Sequence, residues 1–146
     1  MTDSTAAARL PTALVIVDDE ADHAEIIRQL TAEIAPDLHV RVVQELGELS
    51  QGLRRAPPGA LLLIDRVVHG RETIDLLPAL RTLRPDMTAV MLSAAFSDRD
   101  RQRALAAGAH RAVQKPGRIA EWRELLADLL RMSAERQHAA ATTEAG

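Results

Sequence analysis

Five short apolar runs separated by helix-length segments constrain this chain more than anything else in its sequence. They are Ala13 to Val17 (ALVIV), Leu38 to Val43 (LHVRVV), Ala60 to Ile64 (ALLLI), Thr88 to Leu92 (TAVML) and His110 to Gln114 (HRAVQ). Strand-length runs alternating with helical periodicity predict an α/β domain whose parallel sheet is joined by crossover helices. ALLLI has no polar interruption, as a strand covered on both faces requires. LHVRVV alternates and belongs nearer an edge.

The segments between the runs read as five helices. Ala21 to Ala35 places Ile27, Leu30 and Ile34 on one stripe with Ile26 beside it, and Pro36 stops it. Gly47 to Ala56 is a short helix closed by Pro57-Pro58-Gly59. Arg66 to Glu72 is expected to be a loop, and Thr73 to Leu83 a helix with Ile74, Leu77 and Leu80 inward. Ser97 is placed to cap a polar helix, with Asp98 and Asp100 in its first turn and Gly108 suited to the left-handed position after its end. That helix offers the core only Ala104, Leu105 and Ala107, so it should be easy to displace. A last helix carries Ile119, Trp122, Leu126 and Leu129 on a stripe and also buries Leu125 and Leu130. Residues 1–11 and 133–146 lack apolar periodicity and read as tails, the second also as an extension of the last helix, leaving 12–132 as one domain.

Composition excludes several classes. With 47% hydrophobic and 27% charged residues the 146-residue chain is not of disordered type. A net charge of −3 gives no positive field toward a polyanion, so direct nucleic-acid binding is not expected. The absence of cysteine excludes disulfides and thiolate metal sites. No run approaches the roughly 20 apolar residues of a membrane span, and a cytoplasmic location is expected.

The chemistry sits at the strand ends. In open parallel sheets ligands bind beyond the carboxyl ends of the strands, and here those ends carry Asp18 and Asp19, Asp65, Ser93 and Lys115. Three carboxylates brought together repel by about 4 kcal/mol per pair at 4 Å and an effective dielectric near 20. A hard divalent cation with oxygen ligands, Mg²⁺, fits such a set, and Lys115 supplies a second, compact positive charge. It is the only lysine among 18 lysines and arginines, so a point charge, not a planar fork, is wanted there. Asp65 then has the setting of a nucleophile that forms an acyl phosphate, and Ser93 offers a hydroxyl to a phosphoryl oxygen. Singly, each residue has an ordinary explanation as helix cap, loop residue, turn former or solubilising charge. Four strand ends supplying parts of one site do not. His23, His39, His69, His110 and His138 show no ligand spacing and read as structural or surface residues.

The segments VIVDDE (15–20), LLLIDRVVHG (61–70), VMLSAA (90–95) and GAHRAVQKP (108–116), in this order, strongly resemble the receiver domain of bacterial two-component response regulators over about residues 12–132. The resemblance implies a flavodoxin-like (βα)₅ fold with strand order 2-1-3-4-5. It implies that Asp65 is the phosphoacceptor and that Asp19, Asp65 and the Val67 carbonyl ligate Mg²⁺ directly, with Asp18 acting through water. Ser93 becomes the switch hydroxyl, Lys115 the phosphate-contacting lysine, and Lys115–Pro116 a cis peptide bond. Three departures stand out: Ala112 replaces a Tyr or Phe whose ring swings inward on phosphorylation, His69 stands where proline usually precedes Gly70, and the apolar pair Val67 and Ala95 occupies positions that tune water access. Phe96, the only phenylalanine, lies close enough in sequence to assume part of the missing ring's role.

The expected function is that of a single-domain response regulator that takes a phosphoryl group from a histidine kinase or histidine phosphotransfer protein onto Asp65 and catalyses its own phosphorylation and dephosphorylation. A downstream protein, or a second copy of the chain, is expected on the fourth helix, fifth strand and fifth helix. The alternative is a receiver-like interaction or dimerisation module that is not phosphorylated. A dehalogenase-type phosphatase wants a second Asp two residues after the nucleophile, where this chain has Val67, and no GxGxxG or Walker loop follows any strand.

Overall fold

The structure, a computed structural model, describes residues 10–145, with side chains to residue 142. Five strands, β1 (Ala13–Val17), β2 (His39–Val43), β3 (Leu61–Asp65), β4 (Thr88–Ser93) and β5 (Arg111–Gln114), form one parallel sheet in the order β2-β1-β3-β4-β5. The expected order 2-1-3-4-5 is the one found. β1, β3 and β4 are buried throughout, whereas β2 and β5, at the edges, are partly exposed.

Alternation along the strands builds two cores. Val15, Val17, Leu62, Ile64, Ala89 and Met91 point to one face, with Leu53, Leu77 and Ala104 from α2 (Leu49–Arg55), α3 (Leu77–Leu83) and α4 (Asp98–Ala107). Leu14, Ile16, Leu61, Leu63, Val90 and Leu92 point to the other, against Ile27 and Leu30 of α1 (Ala21–Ile34) and Trp122, Leu126 and Leu129 of α5 (Ile119–Ala145). The period-2 pleat divides each strand between the faces, so the sheet is covered on both sides and its carboxyl edge is left to the loops.

α2 and α3 are each entered through a 3-10 turn, at Leu46–Glu48 and Ile74–Leu76. Ser97 caps α4, its hydroxyl accepting the Asp100 N–H at 3.0 Å. Gly108 closes it at φ +122, and a Cβ there would lie 2.7 Å from the Arg81 side chain.

Several expectations are corrected. The 66–72 segment contains a hairpin, Val67–Val68 paired with Arg71–Glu72. Its turn residues His69 and Gly70 have φ of +51 and +74, the left-handed pattern of a tight hairpin turn. A proline at 69, fixed near −65°, has no access to that conformation. Leu105 is 40% and Ile119 51% exposed, because α4 turns Ala104 inward and α5 begins to bury its stripe only at Trp122. Of the two readings of the C-terminal segment, tail or extension of the last helix, the structure has the second: residues 133–145 continue α5. Ser133 and Ala134 are buried, Arg136 Nε donates to Thr88 Oγ1 (3.1 Å), and Gln137 Nε2 donates to the Asp86 carbonyl (2.7 Å). The described chain has no cis peptide bond, so Lys115–Pro116 is trans, the isomer favoured intrinsically by about 0.5–1 kcal/mol.

Candidate functional site

Parallel register brings the strand ends level: Val17 sits beside Ile64, Asp65 beside Leu92, and Ser93 beside Gln114. The residues just past these positions converge. Lys115, held by its N–H to the Ser93 carbonyl (2.7 Å), turns its side chain inward until only 6% is exposed. Its Nζ donates to Asp18 Oδ2 at 3.0 Å and to Asp65 Oδ2 at 3.1 Å. Asp18 and Asp65 are buried and Asp19 is half-buried, and the three bring carboxylate oxygens within 4.8 Å of one another. The sequence-derived constellation of Asp18, Asp19, Asp65 and Lys115 is therefore one pocket.

Local structure fixes each member. Asp18 Oδ1 accepts the Glu20 N–H (2.9 Å), so this acid both shapes the entry to α1 and faces the pocket. Asp19 Oδ2 accepts the His69 N–H (2.9 Å), which ties the hairpin to the pocket and again requires a residue other than proline at 69. Below Asp65, Thr73 Oγ1 donates to the Asp65 carbonyl at 2.7 Å.

Burial pushes the Asp65 carboxyl above its ordinary pKa. The charge and hydrogen bond of Lys115 work against this, neighbouring Asp18 adds to it, and the Val67 N–H donated to the carboxylate lowers it again. Burial disfavours the Lys115 ammonium, but attraction and hydrogen bonds to Asp18 and Asp65 outweigh that, and its pKa lies above the usual lysine value. The arrangement is a desolvated acidic pocket carrying one matched cation. A hard divalent ion fits it, because the donors are carboxylate oxygens gathered without enough positive charge.

Ser93 is buried at the end of β4, but its hydroxyl is engaged elsewhere. It donates to the Ala95 carbonyl (2.8 Å) and accepts from Arg66 Nε (3.2 Å). Val67 reaches Asp65 through its N–H. Ala112 is buried, and its carbonyl accepts from Arg101 Nη1, whose guanidinium lies 5.3 Å from the centre of the Phe96 ring. Phe96 thus packs beside the Ala112 backbone by way of Arg101.

Two site residues escaped the sequence reading. His23, in the first turn of α1, brings Nδ1 to 3.0 Å from Lys115 Nζ and 3.3 Å from Glu20 Oε1, with its ring centre 6.4 Å from that of Trp122. With Asp18 and Asp65 it completes three acceptors for the three ammonium hydrogens. Arg66, one residue past Asp65, pairs with Glu72 at 2.9 Å. His23 has no metal-ligand spacing in the sequence, although its place one helical turn past the acidic end of β1 is a usable signal.

Fold and pocket together define a doubly wound α/β domain with an acidic site at the carboxyl edge of its sheet. The family model for the response regulator receiver domain matches residues 14–127, and the chain belongs to that family of phosphorylated signalling switches. Among solved structures it is similar to the signal receiver domain of a DNA-binding response regulator from Colwellia psychrerythraea 34H, at 15% identity over 82% of this chain and 98% of that one, with a TM-score of 0.71. It is also similar to a CheY-like receiver domain protein from Methanospirillum hungatei JF-1, at 22% identity over 86% and 98%, TM-score 0.71. A response regulator from Burkholderia pseudomallei with a phosphorylated aspartic acid, calcium ion and citrate matches at 18% identity over 92% of this chain and 75% of that one, TM-score 0.71. No curated protein matches the chain. No described helix is long and apolar enough to cross a membrane.

Proposed function

We propose that this chain is a phosphorylation-operated response regulator in which Asp65 accepts a phosphoryl group from a phosphohistidine donor in an Mg²⁺-dependent reaction. The observation that carries the reading is Lys115 Nζ, buried and bonded to both Asp18 and Asp65. An Asp65 carboxylate oxygen attacks phosphorus. The O–P bond forms as the P–N bond breaks, and the electron pair leaves on the donor imidazole. Lys115 holds the acceptor oxygen's charge and follows it to the new phosphate. Asp18, Asp19, Asp65 and the Val67 carbonyl are the groups assigned to Mg²⁺, which supplies charge neutralisation for the incoming phosphoryl oxygens when bound. Hydrolysis reverses the state: water attacks phosphorus, the acyl O–P bond breaks, and the carboxylate returns as inorganic phosphate departs. The chain's own groups carry both steps, and Val67, at the rim of the site and 36% exposed, flanks the approach of that water.

In this reading residues 12–132 are the receiver unit of a cytoplasmic response regulator. Its upstream partner is a histidine kinase or histidine phosphotransfer protein. α4, β5 and the start of α5 meet a downstream protein or a second copy of the chain. Support for that surface is the thin anchoring of α4, whose buried residue is Ala104. A constitutive, non-phosphorylated interaction module is the second reading, favoured by Ala112, which has no ring to move. It predicts a partner complex indifferent to beryllofluoride.

Incubation with acetyl phosphate and Mg²⁺ followed by intact-mass analysis is the test. Wild type should gain one phosphoryl group, chelation should abolish the gain, and Asp65→Asn should show none. A wild type that stays at its unmodified mass refutes the proposal.

A further inference from the structure

Arg66 stands next to the nucleophile in sequence, yet its guanidinium is held on the other side of the strand end. Nε donates to Ser93 Oγ at 3.2 Å, Nη1 donates to Glu72 Oε2 at 2.9 Å, and Nη1 lies 3.8 Å from Asp100 Oδ2 in the first turn of α4. One cation thus touches the neighbouring strand end, the hairpin and the helix on the suspected partner face. Its backbone is fixed, the N–H donating to the Leu92 carbonyl (2.8 Å) and the carbonyl accepting the Thr73 N–H (2.8 Å), so a change of partner falls to the side chain alone. The contact to Asp100, at 3.8 Å, is beyond hydrogen-bond length, and Glu72 keeps a second oxygen, Oε1, without a hydrogen-bond partner among the described residues.

We propose that Arg66 is a positioning residue of the phosphoryl site, which exchanges Ser93, Glu72 and Asp100 for the phosphoryl oxygens on Asp65 and thereby releases the first turn of α4. The proposal rests on Asp65 being the phosphoacceptor. Transfer forms the Asp65 O–P bond as the donor's bond to phosphorus breaks and its electron pair departs with the donor. The residue passes from a carboxylate monoanion to an acyl phosphate dianion with three further acceptor oxygens. Lys115, shared between Asp18 and Asp65 before transfer, follows only one of the new oxygens, and Arg66, bonded to the hydroxyl of Ser93 at the neighbouring strand end, is the further cation that can meet the others. A guanidinium binds phosphate oxygens through paired N–H donors. When Arg66 leaves, Ser93 loses the guanidinium donor and is held only by the N–H and carbonyl of Ala95 (3.3 and 2.8 Å), and Asp100 loses its link to the end of β3. Arg101, next along α4, holds the Ala112 carbonyl and the Phe96 ring, so a shift of this turn reaches β5 without any aromatic at 112.

Beryllofluoride with Mg²⁺, titrated into the whole chain and followed by amide NMR, separates this from a merely structural role. Because Asp100 competes with the phosphoryl group for Arg66, Asp100→Asn should tighten beryllofluoride binding about two- to fivefold, the range of a partly exposed ion pair. Arg66→Gln should weaken binding, and in that background Asp100→Asn should have no further effect. The amides of 98–104 should shift on binding in wild type and much less in Arg66→Gln. Unchanged or weaker binding by Asp100→Asn, or an Asp100 effect that survives in Arg66→Gln, overturns the role of Arg66 while leaving Asp65 as acceptor. A wild type that binds no beryllofluoride overturns both.

Discussion

Replacing Lys115 by methionine keeps the length of the side chain and removes its charge. Its ammonium lies 3.0 and 3.1 Å from two buried carboxylates. At an effective dielectric near 20, each such pair attracts by about 5–6 kcal/mol before desolvation is subtracted. Most of that gain offsets the burial of three charges, but deleting one partner leaves Asp18 and Asp65 side by side, buried and uncompensated. Breaking a buried pair in this way costs about 3–5 kcal/mol, or roughly 10–15 °C in Tm for a domain of this size. The pH dependence has a definite sign. In wild type the folded pKa of Lys115 is raised above its ordinary 10.5, so its contribution is complete below 10.5 and is lost as the pH rises through the folded value. In Lys115→Met, Asp65, already raised by burial, loses its counter-charge and holds its proton more tightly than the unfolded chain does. Stability of the variant should therefore fall as the pH rises from acid, and the gap to wild type should be wider at pH 7 than at pH 4.5. Mg²⁺ binds only the folded form of either protein and should narrow the gap because the variant, with no ammonium on Asp18 and Asp65, binds it more tightly. Urea denaturation of both proteins at the two pH values, with and without Mg²⁺, measures all of this. Equal stability of variant and wild type at pH 7 without metal would refute the argument that the ammonium balances the acids.

Two further perturbations act away from the site. His110 is held to a pKa of about 4, chiefly by burial and then by Arg136 and Arg81, so wild type should lose stability as the pH falls from 6.5 toward 4; His110→Gln should flatten that limb of a Tm–pH profile, and an unchanged slope would contradict it. Asp86, lowered to about 2 by its hydrogen bond to Arg84 and tied to the Gly59 N–H, stabilises the fold above its unfolded pKa and loses that effect as the pH drops through about 2. Because it is 37% exposed, Asp86→Ala should cost on the order of 1 kcal/mol at pH 7, read by urea denaturation, with the difference disappearing near pH 2.

The fold was legible where burial alone decides the pattern. ALVIV, ALLLI and TAVML sit under helices on both faces, and a buried strand is the element that accommodates four or five consecutive apolar residues so short of a helix's length. Asp18, Asp19, Asp65 and Lys115 were legible because a parallel sheet puts the ends of β1, β3 and β5 at one edge whatever the loops do. Residues whose role depends on a side chain reaching across loops were not. His23 meets Lys115 from a helix 92 positions away in sequence, and Arg66 meets Asp100 only because α4 packs beside the 3-10 turn at Ile74–Leu76 that follows the hairpin. Over 133–145 apolar periodicity left both a tail and an extension of the last helix open, and the structure has the helix. Alanine-rich sequence with high helix propensity continues α5 without a stripe, anchored by Arg136 and Gln137. Leu105 and Ile119 read as core because spacing fixes a face but not how far from the sheet the last turn of α4 and the first turn of α5 lie.

Reduction of an acyl phosphate by borohydride converts the modified aspartate to homoserine and so marks the residue that carried it. After phosphoryl transfer from acetyl phosphate in Mg²⁺, peptide mapping of the reduced chain should find homoserine at position 65 alone. Homoserine at another aspartate, or at none, would contradict a phosphoryl site built around Asp65 and Lys115.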